Sequence, residues 1–599
     1  MNHTFHIPVL GLGYSIDTPL KVARYGISSV VSIVDDELIE RMRQHTCSKH
    51  KEPYQPIIKT EPDARARRIT AYLNLLAKLV DEQISALKLQ TFESGTDLSK
   101  YFYLLPEYSE LKANWRLMLT LPAGYEREQL EDQLKQSICP GKIDVNIMSK
   151  VDKANYLKGV YLGDDNTDAQ AALRGFASSS LQSSVVISAG LNPRLFSYLE
   201  HFQDFQPSKE GTFRKQIILK VSDYRSALIQ AKVLAKKGLW VSEFRVESGL
   251  NCGGHAFATE GHLLGPILQE FKDNRKALRE ELFQLYTVAQ VAKTSVHPNA
   301  NLVQRITVQG GIGTAEEHRF LLNYYDLDAA GWGSPFLLVP EATNVDADTL
   351  IDLENADEED YYISNASPLG VPFNNFRKSS AELQRQQRID KGKPGSPCTK
   401  KYLCTNTEFT TEPICTASIK YQHLKIKQLE AEGLSRAVLQ EKIALVTEKV
   451  CLCVGLCTSA YKKYDLLSPK ENKAVSICPG PNLAYFDQQY TLKQMVDHIY
   501  GRNDVLAGKD RPNLFTKEFG LYVAYLKKEA DNLKLEFTEK KLKYVNKFYA
   551  QLQNGIEYYK TLIANVDPKL TLWNDDQVKK FQIIADHLKH LLQTQLQSV

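Results

Sequence analysis

The stretch ESGLNCGGHAFATEGHLLGPI (247 to 267) places two adjacent glycines directly before His255. Gly253 and Gly254 lack the Cβ that keeps a backbone away from a flat ring or a phosphate, so a ligand can lie against the chain there. An imidazole beside such a surface titrates near neutral pH and can take or give a proton. A hydrogen-bonded structural histidine is the competing reading of His255, and the preferred one for His262, at the start of the next helix. Two further glycine-rich turns, GGIG (310 to 313) and GWGS (331 to 334), expose backbone N–H groups of the kind that hold an anion.

Such loops need elements to carry them. Short β-branched or apolar runs recur, each followed by a helix-like stretch: HIPVLGLG (6 to 13), ISSVVSIV (27 to 34), KIDVNIM (142 to 148), SVVISAG (184 to 190), KQIILKVS (215 to 222), LWVSEFRVES (239 to 248), QRITVQGG (304 to 311) and LDAAGWGS (327 to 334). Eight strands alternating with helices is the count that closes a parallel (β/α)₈ barrel, an α/β fold. A doubly wound sheet would alternate in the same way. The barrel is favoured because its active-site loops leave the C-terminal ends of the strands and its common phosphate site follows strands seven and eight, where GGIG and GWGS fall.

Residues 58 to 136 carry apolar residues at helical spacing and predict a helical insertion after strand two, as a cap or flank. The chain then divides into a barrel over 1–380 and a Cys-containing, mainly helical extension over 381–599, beginning near the polar KSSAELQRQQRIDKGKPGSPC.

The ordered elements IPVLGLGYSIDTPLKVARYGISSVVSI, KIDVNIM, CGGH, QRITVQGGIGTAEEHRFLL and GWGSPFLLVPEA resemble the nitronate monooxygenases and the related FMN-dependent enoyl-acyl-carrier-protein reductases, over roughly residues 5 to 380 outside the insertion. The resemblance implies FMN across the C-terminal mouth of the barrel. Its phosphate would rest on Gly310, Gly311 and Gly313, where TAEEH begins a helix whose dipole favours an anion, with Gly333 and Ser334 closing the other side. Asn146 takes the place of a ring-contacting Asn, Gly11 is a positional assignment on the first loop, and Lys220 would stabilise negative charge on reduced flavin, with a rim cation as the alternative. Gly253 and Gly254 would lie against the cofactor and His255 would transfer the proton. Three departures stand out: GLGYS where the family has Ala-Pro-Met, Cys252 for Ala before GGH, and GSPF for GTRF. Cys252 reads as a small buried filler.

The implied activity is that of an FMN oxidoreductase oxidising a small alkyl nitronate with O₂. An NAD(P)H-dependent enoyl-thioester reductase is the alternative, and a flavin-binding scaffold without catalysis is a third reading that the intact GGH and GGIG motifs oppose.

Seven of the ten cysteines fall between Cys398 and Cys478. Four thiolates, taken as Cys398, Cys415, Cys453 and Cys478, could hold zinc or an iron-sulfur cluster. Against this, no pair has C-x₂-C spacing, and CLCVGLC ends an apolar helix where cysteines pack as small hydrophobes; packing is the preferred reading.

The 599 residues are 43% hydrophobic and 24% charged with a formal net charge of +3, which advertises no nucleic-acid partner. The N-terminus lacks the pattern of a signal peptide and no window approaches eighteen apolar residues, so a cytoplasmic protein with a small-molecule substrate and no membrane partner is expected. A homo-oligomer is left open.

Overall fold

The computed structural model describes residues 2–591, apart from 150, 151, 158, 159, 189, 209, 210, 296 and 536. Eight parallel strands close a barrel: β1 (Phe5–Ile7), β2 (Ser28–Ser32), β3 (Ile143–Ile147), β4 (Ser183–Ile187), β5 (Lys215–Val221), β6 (Val241–Glu247), β7 (Arg305–Gln309) and β8 (Ala329–Gly331). Each pairs with its neighbours in sequence, and β8 returns to β1 through Phe5 opposite Ala330. Six of the eight expected runs contain one of these strands, and the runs 6 to 13 and 184 to 190 each miss only the first residue of theirs. The expected runs overreach most at their C-terminal ends, where Pro8 supplies no N–H and Gly11 turns the chain at φ +54°.

Alternation along the strands sorts their side chains. On β6, Phe244 and Val246 join the main core, while Glu243 and Arg245 belong to a buried ionic group. Arg245 lies 2.7 Å from Glu243 and 3.7 Å from Asp144 of β3, and Thr307 of β7 donates to Glu243 at 2.7 Å. Burial raises the Glu243 carboxyl, but Arg245 and Arg305 outweigh it and hold it at about 2. Val30, Val186 and Ile218 form a small separate apolar cluster joined by Val9. The interior is therefore filled, and space for a ligand opens only above it.

The insertion is helical and flanks the barrel. Its longest helix, Ala64–Lys88, buries Ile69, Leu73, Leu76 and Val80 at helical spacing. It packs on the helix Asp168–Ala177 so closely that a Cβ on Gly175 would meet Ile69 at 2.8 Å. The extension is mainly helical, with Leu452–Lys463, Leu514–Leu535 and Glu539–Asn565 among its helices, and one hydrophobic core runs from Phe5 to Leu588. Among the described residues no single helix is long and apolar enough to cross a membrane.

Candidate active site

Loops from the C-terminal ends of the strands surround a cavity of about 260 Å³. Gly11, Asn146, Lys220, Gly253, Gly254, His255, Gly310, Gly311, Gly333 and Ser334, the residues singled out in the sequence, all line it. Gly313 is the exception. Its N–H donates to Glu317 Oε2 at 2.7 Å, and the Thr314 N–H does so at 3.2 Å. Glu317 stands at the third position of the helix Ala315–Tyr324, in a capping box with Thr314. The helix N-terminus expected to receive a ligand phosphate is thus taken by the protein's own carboxylate, which Arg511 of the extension neutralises at 2.7 Å.

The glycines divide by purpose in a way that their sequence did not reveal. A Cβ on Gly253 would lie 2.6 Å from the Cys478 carbonyl, one on Gly310 2.4 Å from Cys252 Sγ, and one on Gly311 1.9 Å from Asn251 Nδ2. These three are required by contacts within the protein. Gly254, at φ +79°, has nothing within 4 Å of such a Cβ and faces open space. Cys252 is a buried filler against Gly310, and burial pushes its thiol well above the ordinary range.

His255 Nε2 is 2.7 Å from Ser367 Oγ, and its ring meets Phe373 edge-on with centroids 5.2 Å apart. Both partners belong to a region around the hairpin Tyr361–Ser364 and Phe373–Phe376, which is tied to the GGH loop by Ala256 N donating to Pro372 O at 2.8 Å and Asn374 N to Gly254 O at 2.9 Å. Lys220 is not an isolated cation: Glu247, from the end of β6, pairs with it at 3.0 Å and also accepts from Gln309 Nε2 at 2.8 Å. Glu247 and Gln309 border glycine motifs, yet only the closed barrel brings them to one wall.

The extension supplies the remaining wall through Tyr402, Leu403, Leu452, Cys453, Leu456 and the segment 477–482. Gly13 N donates to Leu456 O at 3.0 Å, Gly254 N to Cys478 O at 3.0 Å, Gly480 N to Ser334 Oγ at 2.8 Å and Asn482 Nδ2 to Ile312 O at 2.9 Å. The expected metal quartet is not assembled. Cys478 lies against Gly253 and Gly254, Cys453 lines the cavity, and Cys398 keeps company with Cys404 and Cys415. Among the described residues no group of three or more His, Cys, Asp or Glu side chains is arranged to hold a metal ion.

The chain is an eight-stranded parallel β/α barrel whose mouth forms a ligand cavity completed by a helical extension. No family model matches it, and no curated protein matches it in sequence. Solved structures similar to it include FabK from Thermotoga maritima, at 12% identity over 62% of this chain and 79% of that one with a TM-score of 0.30. The enoyl reductase domain of MlnA from the macrolactin biosynthesis cluster of Bacillus amyloliquefaciens is 16% identical over 75% and 94%, TM-score 0.31. Nitroalkane oxidase from Streptomyces ansochromogenes is 10% identical over 84% and 95%, TM-score 0.33. At these values the chemistry of the site rests on its own residues.

Proposed function

We propose that the protein is an FMN-dependent oxidoreductase acting on a small, partly apolar substrate, with an alkyl nitronate oxidised by O₂ as the first candidate. The observation that carries this reading is the convergence of the loops after β6, β7 and β8 on one cavity. Among the described residues the N–H groups of Gly311, Gly333 and Ser334 have no hydrogen-bond acceptor, which leaves donors suited to a phosphate. Asn251 Oδ1 is buried without a partner beside Gly311, so a ligand hydroxyl or N–H is wanted there as well.

FMN supplies two-electron chemistry when bound. The protein's own groups do the rest. Gly310, Gly311, Gly333 and Ser334 would hold the phosphate, Asn146 and Gly254 the ring. Ser367 fixes one imidazole nitrogen of His255, orienting the ring that moves the substrate proton. Lys220, paired with Glu247, would still offer a hydrogen-bond donor to negative charge on reduced flavin. The apolar wall of Leu403, Leu452, Leu456 and Ile477 excludes water and favours a hydrocarbon part in the substrate. That wall also supports the second reading, an enoyl-thioester reductase drawing on NAD(P)H.

Purified full-length protein should be yellow and release FMN on denaturation. Anaerobic addition of an alkyl nitronate should bleach it and air should restore the colour; bleaching by NADPH alone would select the reductase. A colourless protein that takes up no added FMN would overturn both readings.

A further inference from the structure

A second cluster of chemistry-bearing groups lies in the segment 398 to 415, behind the cavity wall. Cys398 Sγ is 3.6 Å from Cys404 Sγ, and Cys415 is within hydrogen-bonding reach of Cys398. Lys401, in the left-handed region at φ 59°, turns the chain so that the first two thiols meet. Cys398 and Cys404 are partly exposed and Cys415 is buried. The loop that the pair brackets carries two anchors to the end of β2. Lys400 forms an ion pair with Asp35, while the Tyr402 hydroxyl bonds Asp35 at 3.2 Å and Asp36 at 3.1 Å. Tyr402 and Leu403 also line the cavity.

We propose that Cys398 and Cys404 are a peroxide-sensitive thiol pair that closes to a reversible disulfide, and that Cys415 is a third thiol able to exchange with it. The Cys398 thiolate attacks one oxygen of hydrogen peroxide, the O–O bond breaks, and a sulfenic acid and hydroxide form. The Cys404 thiol then attacks that sulfur, forming the S–S bond and releasing water. Two thiols lose two electrons and two protons in total, and the peroxide becomes two waters. An external dithiol reverses the reaction. Cys398 lies within reach of both other thiols, so it is the sulfur through which either linkage forms. Closing the bond brings the sulfurs from 3.6 Å to about 2.05 Å. The intervening five residues must adjust, and with them Tyr402 and Leu403, so oxidation alters the cavity wall.

The test uses full-length protein treated with hydrogen peroxide and then alkylated. Intact mass should show two alkyl groups fewer per chain than an unoxidised control alkylated in the same way. Trypsin cuts at Lys400 and Lys401, so a Cys398–Cys404 disulfide appears as a joined peptide pair, and cleavage after Glu408 then separates Cys404 from Cys415. Cys398→Ser should abolish every linkage in the segment, whereas Cys404→Ser should leave only a Cys398–Cys415 link. Should Cys398→Ser fail to fold by circular dichroism, alkylating native protein before the peroxide replaces it and should block the linkage equally. Two results would overturn the proposal. One is a wild-type chain in which oxidation joins none of these peptides. The other is a native protein that retains zinc or iron in proportion to chain and loses it with Cys398→Ser, which would make the cluster a metal site.

Discussion

The pair between Arg511 and Glu317 allows the hold of the extension on the barrel mouth to be tested quantitatively. Arg511→Met preserves most of the side-chain length and removes the charge. The two side chains are 6% and 2% exposed, so water cannot replace what is lost. Four interactions disappear: two to Glu317 at 2.7 and 3.0 Å, one to Gly311 O at 2.8 Å and one to Asn482 Oδ1 at 2.8 Å. Removing one member of a buried pair costs about 3–5 kcal/mol. Glu317 keeps backbone donors from Gly313, Thr314 and Leu514, which sets the expected loss at the lower end, about 3 kcal/mol. Since the Gly311 carbonyl is released too, FMN affinity should fall with stability. The assay is urea unfolding of the full chain followed by circular dichroism, with and without FMN. It is read on the first transition, because a chain of this size need not unfold in one step. In a cycle with Glu317→Gln, the two single losses should together exceed the double loss by about 1–3 kcal/mol. An unchanged midpoint for Arg511→Met, or losses that simply add, would refute the reasoning.

Three further outcomes are expected. His255→Ala should keep FMN yet slow anaerobic reduction by the true substrate about 10² to 10⁴-fold, measured by stopped flow; an equal rate at every pH would leave His255 a structural residue. Ser334→Asp retains an acceptor for Gly480 N while setting a carboxylate among the free N–H groups, so the folded variant should carry far less flavin, checked by the ratio of visible to ultraviolet absorbance. Burial raises Glu518, which accepts from Ser248 Oγ and Leu264 N, from 4.5 to about 7. Because its proton affinity is higher in the folded state, its contribution is full below about pH 4.5 and is lost as pH rises to about 7, at up to about 1.4 kcal/mol per pH unit. Glu518→Gln should flatten that part of the stability profile, and an unaltered slope in urea midpoints across this window would count against it.

The barrel was legible because its signals are local. Each strand is a short apolar or β-branched run ended by turn residues, and the glycine motifs mark the C-terminal ends on which a barrel builds its site. His255 could be placed for the same reason. Gly313 was misread because its role depends on a side chain four residues ahead: the TAEEH that suggested a vacant helix N-terminus contains Glu317, the group that fills it. That capping box was readable from Thr314 and Glu317 alone. The wall residues from 402 to 482 had no such signature. Their positions depend on contacts such as Gly254 with Cys478 and Gly480 with Ser334, separated by 224 and 146 residues, which only tertiary packing creates. The cysteines show the same limit, since Cys404 carried no spacing signal and lies nearer to Cys398 than the sequence suggested.

These contacts bear on why the extension is present at all. A glycine turn at the barrel mouth is entropically costly to fix, and a ligand that had to order it would lose affinity to that ordering. Here the ordering is done by the protein. Cys478 fixes Gly254, Asn482 fixes Ile312, and Arg511 with Glu317 fixes the stretch from Gly311 to Thr314. What remains unfilled is the narrow set that a cofactor would use: the N–H groups of Gly311, Gly333 and Ser334, the open face of Gly254 and the Asn251 oxygen. The extension therefore acts on the site as preorganisation, and it does so from the side of the cavity that also carries the apolar wall. On the proposed function, substrate shape and cofactor retention would be set by the same segments, so an alteration of the wall at Leu452, Leu456 or Ile477 should change both.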